Sequence, residues 1–176
     1  LGADGVIFPM IRTAEDVRRA VSACRYPPAG ERGFGPLRPL DYGRKNAVEF
    51  CDDADENIIV VVQIEQAEAV ENIDEIVAVE GLTSLAFGPM DLSASLGHRG
   101  QPGHPAVEEA VKHVVERAKA AGVATGVSIG SSPESVAQWA DYGLDWICYG
   151  VDVTLMIQCF NNVATHVHSH VDGSAP

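Results

Sequence analysis

The chain has 176 residues, 12 of them basic and 25 acidic, for a net charge of −13. That balance argues against a nucleic-acid partner, because such binding draws most of its affinity from Lys and Arg neutralising phosphates. Apolar residues make up 46% and charged residues 21% of the composition, which fits one globular domain and excludes a disordered or collagen-like chain.

The first apolar run, Gly5–Phe8, is too continuous to have one wet face and reads as a buried parallel strand. Thr13 followed by Asp16 makes a capping arrangement, after which Val17, Ala20, Val21 and Cys24 recur at helical spacing. The stretch over 25–46 opens Arg25-Tyr26-Pro27-Pro28-Ala29-Gly30-Glu31-Arg32-Gly33-Phe34-Gly35-Pro36. It is too long and too rich in Gly and Pro for a simple connection, so it is expected to be a functional loop or an ordered excursion. A second strand follows at 58–64, then an apolar stripe of Ala67, Val70, Ile73, Ile76 and Val77 that Gly81 stops, then a third strand at Ser84–Phe87. The spacing predicts a helix over 104–121, with Pro105 in its first turn, Val107, Ala110, Val111, Val114, Val115 and Ala118 on one face, and Gly122 at its end. A fourth strand at 123–129 leads to a helix opened by Ser132-Pro133 and stopped at Gly143. Trp146–Tyr149 is the last strand and 151–167 the last helix, while residues 171–176 are expected to be a disordered tail.

Five alternations of strand and helix imply βα units, a parallel sheet and right-handed crossovers. Five strands can complete an open doubly wound sheet, whereas a closed (β/α)₈ barrel takes eight strands and about 250 residues. The opening Leu1-Gly2-Ala3-Asp4-Gly5 reads like the turn from a helix into a strand, so an N-terminal part is expected to precede it. No apolar run approaches the roughly 20 residues that cross a bilayer, and the start does not resemble a secretion signal. Cys24, Cys51, Cys148 and Cys159 form no C-x-x-C pair, so reduced thiols and a cytoplasmic location are expected.

In parallel α/β folds, function gathers at the carboxyl ends of the strands. Glu65 and Asp91 each follow an apolar strand, 26 residues apart, which is one βα repeat and would set them on neighbouring strands at one rim. Two oxygen donors there suit a hard cation such as Mg²⁺ or Mn²⁺. Equally, each carboxylate could serve only the first turn of a helix. In Gly88-Pro89-Met90-Asp91-Leu92-Ser93, Gly88 permits close backbone approach, and the amides of Met90 and Asp91 at a helix start could face a substrate carboxylate; an ordinary tight turn has the same pattern. Gln63, on the same side of its strand as Glu65, could donate to a substrate oxygen or be a satisfied interior group. His166, His168 and His170 lie near the terminus and are read as incidental, and His98, His104 and His113 as surface or capping residues without a triad partner.

Together Phe8-Pro9-Met10, the Arg25 to Gly33 segment, Gln63-Ile64-Glu65, Gly88 to Ser93 and Gly150-Val151-Asp152 resemble the HpcH/HpaI aldolase family. The likeness implies a TIM (β/α)₈ barrel of which only about five βα units, the C-terminal part, are present over residues 1–170. It also implies a class II aldolase, a lyase cleaving 4-hydroxy-2-oxo acids to pyruvate and an aldehyde through an enolate stabilised by Mg²⁺, Mn²⁺ or Co²⁺. By matching motif positions, Glu65 and Asp91 would be the metal ligands, Gln63 would contact the 2-oxo acid, the backbone at Gly88, Met90 and Asp91 would hold its carboxylate, and Ser128 would line the aldehyde pocket. The family's general-base His and its Arg match nothing here and would lie upstream of Leu1. Lys45, Lys112 and Lys119 are the only lysines and none is at a strand end, which agrees with a metal route over an imine route. Family members also associate through C-terminal helices into dimers and hexamers, so a homo-oligomer is expected. Two other readings are a non-catalytic binding or assembly module, and an acyl-CoA lyase resembling the citrate lyase β subunit, which the acidic charge disfavours.

Overall fold

The computed structural model describes residues 2–130 and 132–171. Five strands, β1 (Gly5–Phe8), β2 (Ile59–Ile64), β3 (Ser84–Phe87), β4 (Ala124–Ile129) and β5 (Trp146–Tyr149), form one parallel sheet whose spatial order follows the chain. The register pairs Ile64 with Phe87 and Phe87 with Val127, so neighbouring carboxyl ends come out at a common rim.

Because side chains alternate along a strand, the sheet has two unlike faces. On the outer face Val60, Val62, Ile64, Leu85, Phe87 and Val127 are no more than 1% exposed. Each such burial contributes about 1.5–3 kcal/mol relative to exposure. They pack beneath α1 (Ala14–Cys24), α4 (Ile73–Val77), α6 (Pro105–Ala121) and α7 (Pro133–Asp141), which supply Val17, Ile73, Ile76, Val111, Val114 and Trp139 to one core. The inner face is smaller and more polar. There the Trp146 indole lies over Gly126 and its Nε1 donates to Ser84 Oγ at 2.9 Å, while that hydroxyl donates to the Ala124 carbonyl at 3.0 Å.

Local chemistry places the helix ends. Thr13 and Asp16 form a full capping box on α1. His104 caps α6 by accepting the Ala106 N–H on Nδ1 at 3.2 Å, and Gly122 ends that helix at φ +73°, where a side chain would be strained. The four cysteines are free. No helix among the described residues is long and apolar enough to cross a membrane.

Several expectations change. The stripe over Ala67 to Val77 is two short helices, α3 (Ala67–Glu71) and α4, broken at Asn72, whose ψ of 13° leaves the helical range. Residues 25–46 fold back without a strand and lead into an unanticipated helix, α2 (Ala47–Asn57), capped by the Asn46 side chain. Burial on both faces holds for β3 but not for the edge strands, where Ile7 is 53% and Tyr149 61% exposed. The last helix, α8 (Asp152–Val171), runs past the expected stop, so Val171 is helical and His166 stacks on His170 one turn away; residues 172–176 lie outside the described residues. No side chain of α8 is buried.

Candidate functional site

The rim at the carboxyl ends of β2 and β3 is shaped by two turns. After β3, Gly88 is the N-cap of α5 (Pro89–Ser95), and Pro89 suits the first turn because its missing N–H would have no helical partner. The first intrahelical bond runs from Leu92 N–H to the Gly88 carbonyl at 2.8 Å, so the Met90 and Asp91 amides precede it and have no partner within the helix. Leu92, fully buried, anchors the turn, and Ser93 Oγ donates to the Met90 carbonyl at 2.7 Å. Asp91 is exposed and makes no hydrogen bond or ion pair among the described residues.

After β2, Glu65 is only 4% exposed. Its Oε1 accepts the Met10 N–H at 2.7 Å, and Met10, just past β1, reaches that position with φ at +59°, a conformation uncommon for a residue with a side chain. Neither an ion pair nor a second hydrogen bond reaches Glu65 among the described residues, which leaves Oε2 without a donor. A Cβ at Gly88 would sit 2.5 Å from Glu65 Oε2 and 2.9 Å from its Cβ. The glycine therefore makes room for the carboxylate; its φ of −108° needs no glycine.

At the carboxyl rim of the sheet lies a cavity of about 530 Å³. It gathers Gln63, Gly88, Met90, Asp91 and Ser128, and its far wall is made by Pro102, Trp139, Val151 and Thr154. Glu65 is not in the lining; it packs behind Gly88, one residue past the strand end. Trp139, whose apolar helical position signals only core, and the left-handed turn at Met10 carry no sequence signal that marks them for this site. No histidine lines the cavity among the described residues; the rings of His98 and His104 stack on each other at 3.5 Å instead. No group of three or more His, Cys, Asp or Glu able to hold a metal occurs among the described residues. Glu65, one residue past β2, and Asp91, in the first turn of α5, are carboxylates at this rim.

A parallel sheet ordered along the chain, helices on its outer face and a cavity at the carboxyl rim define part of a (β/α)₈ barrel, a fold whose sites gather at that rim. Residues 1–159 match the family model described as HpcH/HpaI aldolase/citrate lyase, and the chain belongs to that family. It is 37% identical over 165 residues to a hydroxypyruvate/pyruvate aldolase of Pseudomonas aeruginosa, covering 93% of this chain and 61% of that protein. Against a 4-hydroxy-2-oxovalerate aldolase of Rhodococcus jostii it is 40% identical over 157 residues, 89% of this chain and 59% of the relative. The crystal structure of an HpcH/HpaI aldolase from Desulfitobacterium hafniense superposes with a TM-score of 0.86 at 32% identity, covering 99% of this chain and 67% of that one. The chain thus spans about three fifths of the curated relatives it matches.

Proposed function

We propose that the chain carries the metal and 2-oxo-acid site of a class II aldolase, a lyase that cleaves 4-hydroxy-2-oxo acids to pyruvate and an aldehyde. The observation that carries this reading is Glu65: a buried carboxylate held on one oxygen by a backbone N–H, with its other oxygen free of any donor among the described residues. That second oxygen is not sealed off in the core and can accept a further ligand. Asp91, equally without a partner among the described residues, stands on the next strand's turn at the same rim. Two hard oxygen donors of this kind fit Mg²⁺, Mn²⁺ or Co²⁺. Such a cation, when bound, supplies Lewis-acid stabilisation of negative charge on the substrate's oxygens.

The protein's own part is to hold and orient. Gln63 offers its side-chain amide to a substrate oxygen from the cavity floor. Gly88, Met90 and Asp91 offer backbone to the substrate carboxylate, through amides that α5 does not use. Ser128, on β4, faces the aldehyde portion and would favour an acceptor bearing a hydroxyl over an apolar one. General acid–base assistance is commonly worth about 10²–10⁴-fold, and no histidine lines the cavity among the described residues to supply it.

The test is pyruvate release from a 4-hydroxy-2-oxo acid in the presence of Mg²⁺, Mn²⁺ or Co²⁺. EDTA and Glu65→Gln should each abolish it, and release indifferent to both would remove Glu65 and the metal from the mechanism. A second reading, a binding or assembly module that keeps the pocket without turnover, draws support from α8, none of whose side chains is buried. Calorimetry would then show metal-dependent oxalate binding with no product. The acyl-CoA reading gains nothing from the rim, since no Arg or Lys lines the cavity among the described residues.

A further inference from the structure

The opposite rim carries a second cavity of about 330 Å³, set between residues 2–4 before β1, the last turn of α2 and the fold-back of residues 25–46. Arg32, Arg38 and Lys45 line it. In a chain with 12 basic residues and a net charge of −13, their convergence needs a cause. Six of the other basic side chains, Arg12, Arg18, Arg19, Arg44, Lys112 and Arg117, are ion-paired. The three in this cavity form no ion pair among the described residues, and Arg38 and Lys45 have no side-chain hydrogen bond among them either.

Arg32 is held in place. Its guanidinium lies 4.5 Å over the ring of Tyr26 and donates from Nη1 to the Cys24 carbonyl at 3.4 Å. Tyr26 is itself 3% exposed, with its N–H donating to Asp55 Oδ1 at 2.8 Å. Of the two acids in the lining, Asp53 is engaged by Asn57 Nδ2 at 3.0 Å, and Asp4 opens the segment leading into β1. With three cations and two carboxylates, the lining sums to 3 − 2 = +1, opposite in sign to the whole chain.

We infer that this cavity binds a phosphate-type oxyanion, either free or as the phosphoryl end of a small metabolite. Two guanidinium forks and one ammonium match a group with three or four oxygens and nearly two negative charges. A single carboxylate would leave donors unused. The site is at the amino ends of β1 and β2, away from the Glu65 rim, and it stands whether or not the chain is an aldolase.

Calorimetric titration of the chain with inorganic phosphate, against sodium chloride and sodium acetate at equal ionic strength, tests this. Saturable binding is expected for phosphate alone. Arg38 and Lys45 are exposed, so the double variant R38A/K45A should keep the parent's circular dichroism while losing about tenfold or more in affinity. Asp53→Asn, which removes a negative charge from the lining, should tighten phosphate binding. Glycerol 3-phosphate in a further titration separates the sources: tighter binding than phosphate assigns the site to a metabolite, weaker binding to the free ion. Equal response to acetate, no saturation with phosphate, or affinity unchanged in R38A/K45A would overturn the assignment.

Discussion

Two glycines on the inner side of the sheet are needed for the side chain that fills their space. Gly88 leaves room for the Glu65 carboxylate, and Gly126 lies directly beneath the Trp146 indole. Gly126→Ala would drive a methyl group into that ring. Overpacking of this kind costs about 1–3 kcal/mol, so its urea midpoint should fall well below the parent's, with the loss read from tryptophan fluorescence. Gly88→Ala should act on both stability and ligand: it pushes Glu65 off the Met10 amide, and the expected result is a lowered urea midpoint together with weakened binding of Mn²⁺, measured by calorimetry beside an unfolding curve. From the sequence, Gly88 is legible as a place of close approach; that Glu65 itself makes the approach is not, because the contact joins residues on separate strands.

The helices show what local signals can and cannot convey. The ends of α1 and α6 are readable because their caps are short-range chemistry: Thr13 with Asp16, His104 before Pro105, Gly122 after the last turn. By contrast, α2 buries only Cys51 and carries Glu49, Asp52, Asp53, Asp55 and Glu56, so no apolar stripe announces it. The break at Asn72 and the left-handed turn at Met10 depend on packing between elements and leave no periodic trace. The α1 cap also sets a pH dependence. Burial pushes the Asp16 carboxyl up, but hydrogen bonds from the Thr13 and Arg12 amides, the Arg19 guanidinium and the Thr13 hydroxyl outweigh it and hold the group below its ordinary value. A lowered folded-state value means that the stabilisation is complete above the unfolded value, about 4 for Asp, and is lost as pH falls through the folded one. Asp16→Asn should therefore destabilise the chain at pH 7 and much less at pH 2.5, a difference that paired urea titrations would measure.

For the molecule as a whole, the sequence conveys the alternation of strand and helix, and the strand assignments at Gly5–Phe8, Ser84–Phe87 and Trp146–Tyr149 coincide with those observed. It conveys less about exposure, because burial of an edge strand depends on neighbours that periodicity cannot describe. The clearest case is α8, where Leu155, Met156, Ile157, Phe160 and Val163 are each at least 42% exposed on a helix that buries nothing. An apolar stripe of this length is a site for association, and self-association is the expected outcome. Light scattering should give at least twice the 18.7 kDa of one chain, and M156D/F160D should return the mass to that of a single copy.

Strand order that repeats chain order has a temporal consequence during synthesis. From β2 to β5, each strand, once made, finds the strand before it already present to pair with, and none must be wedged between two of these that formed earlier. Assembly can therefore advance in the direction of translation, with a single growing seam at the newest strand.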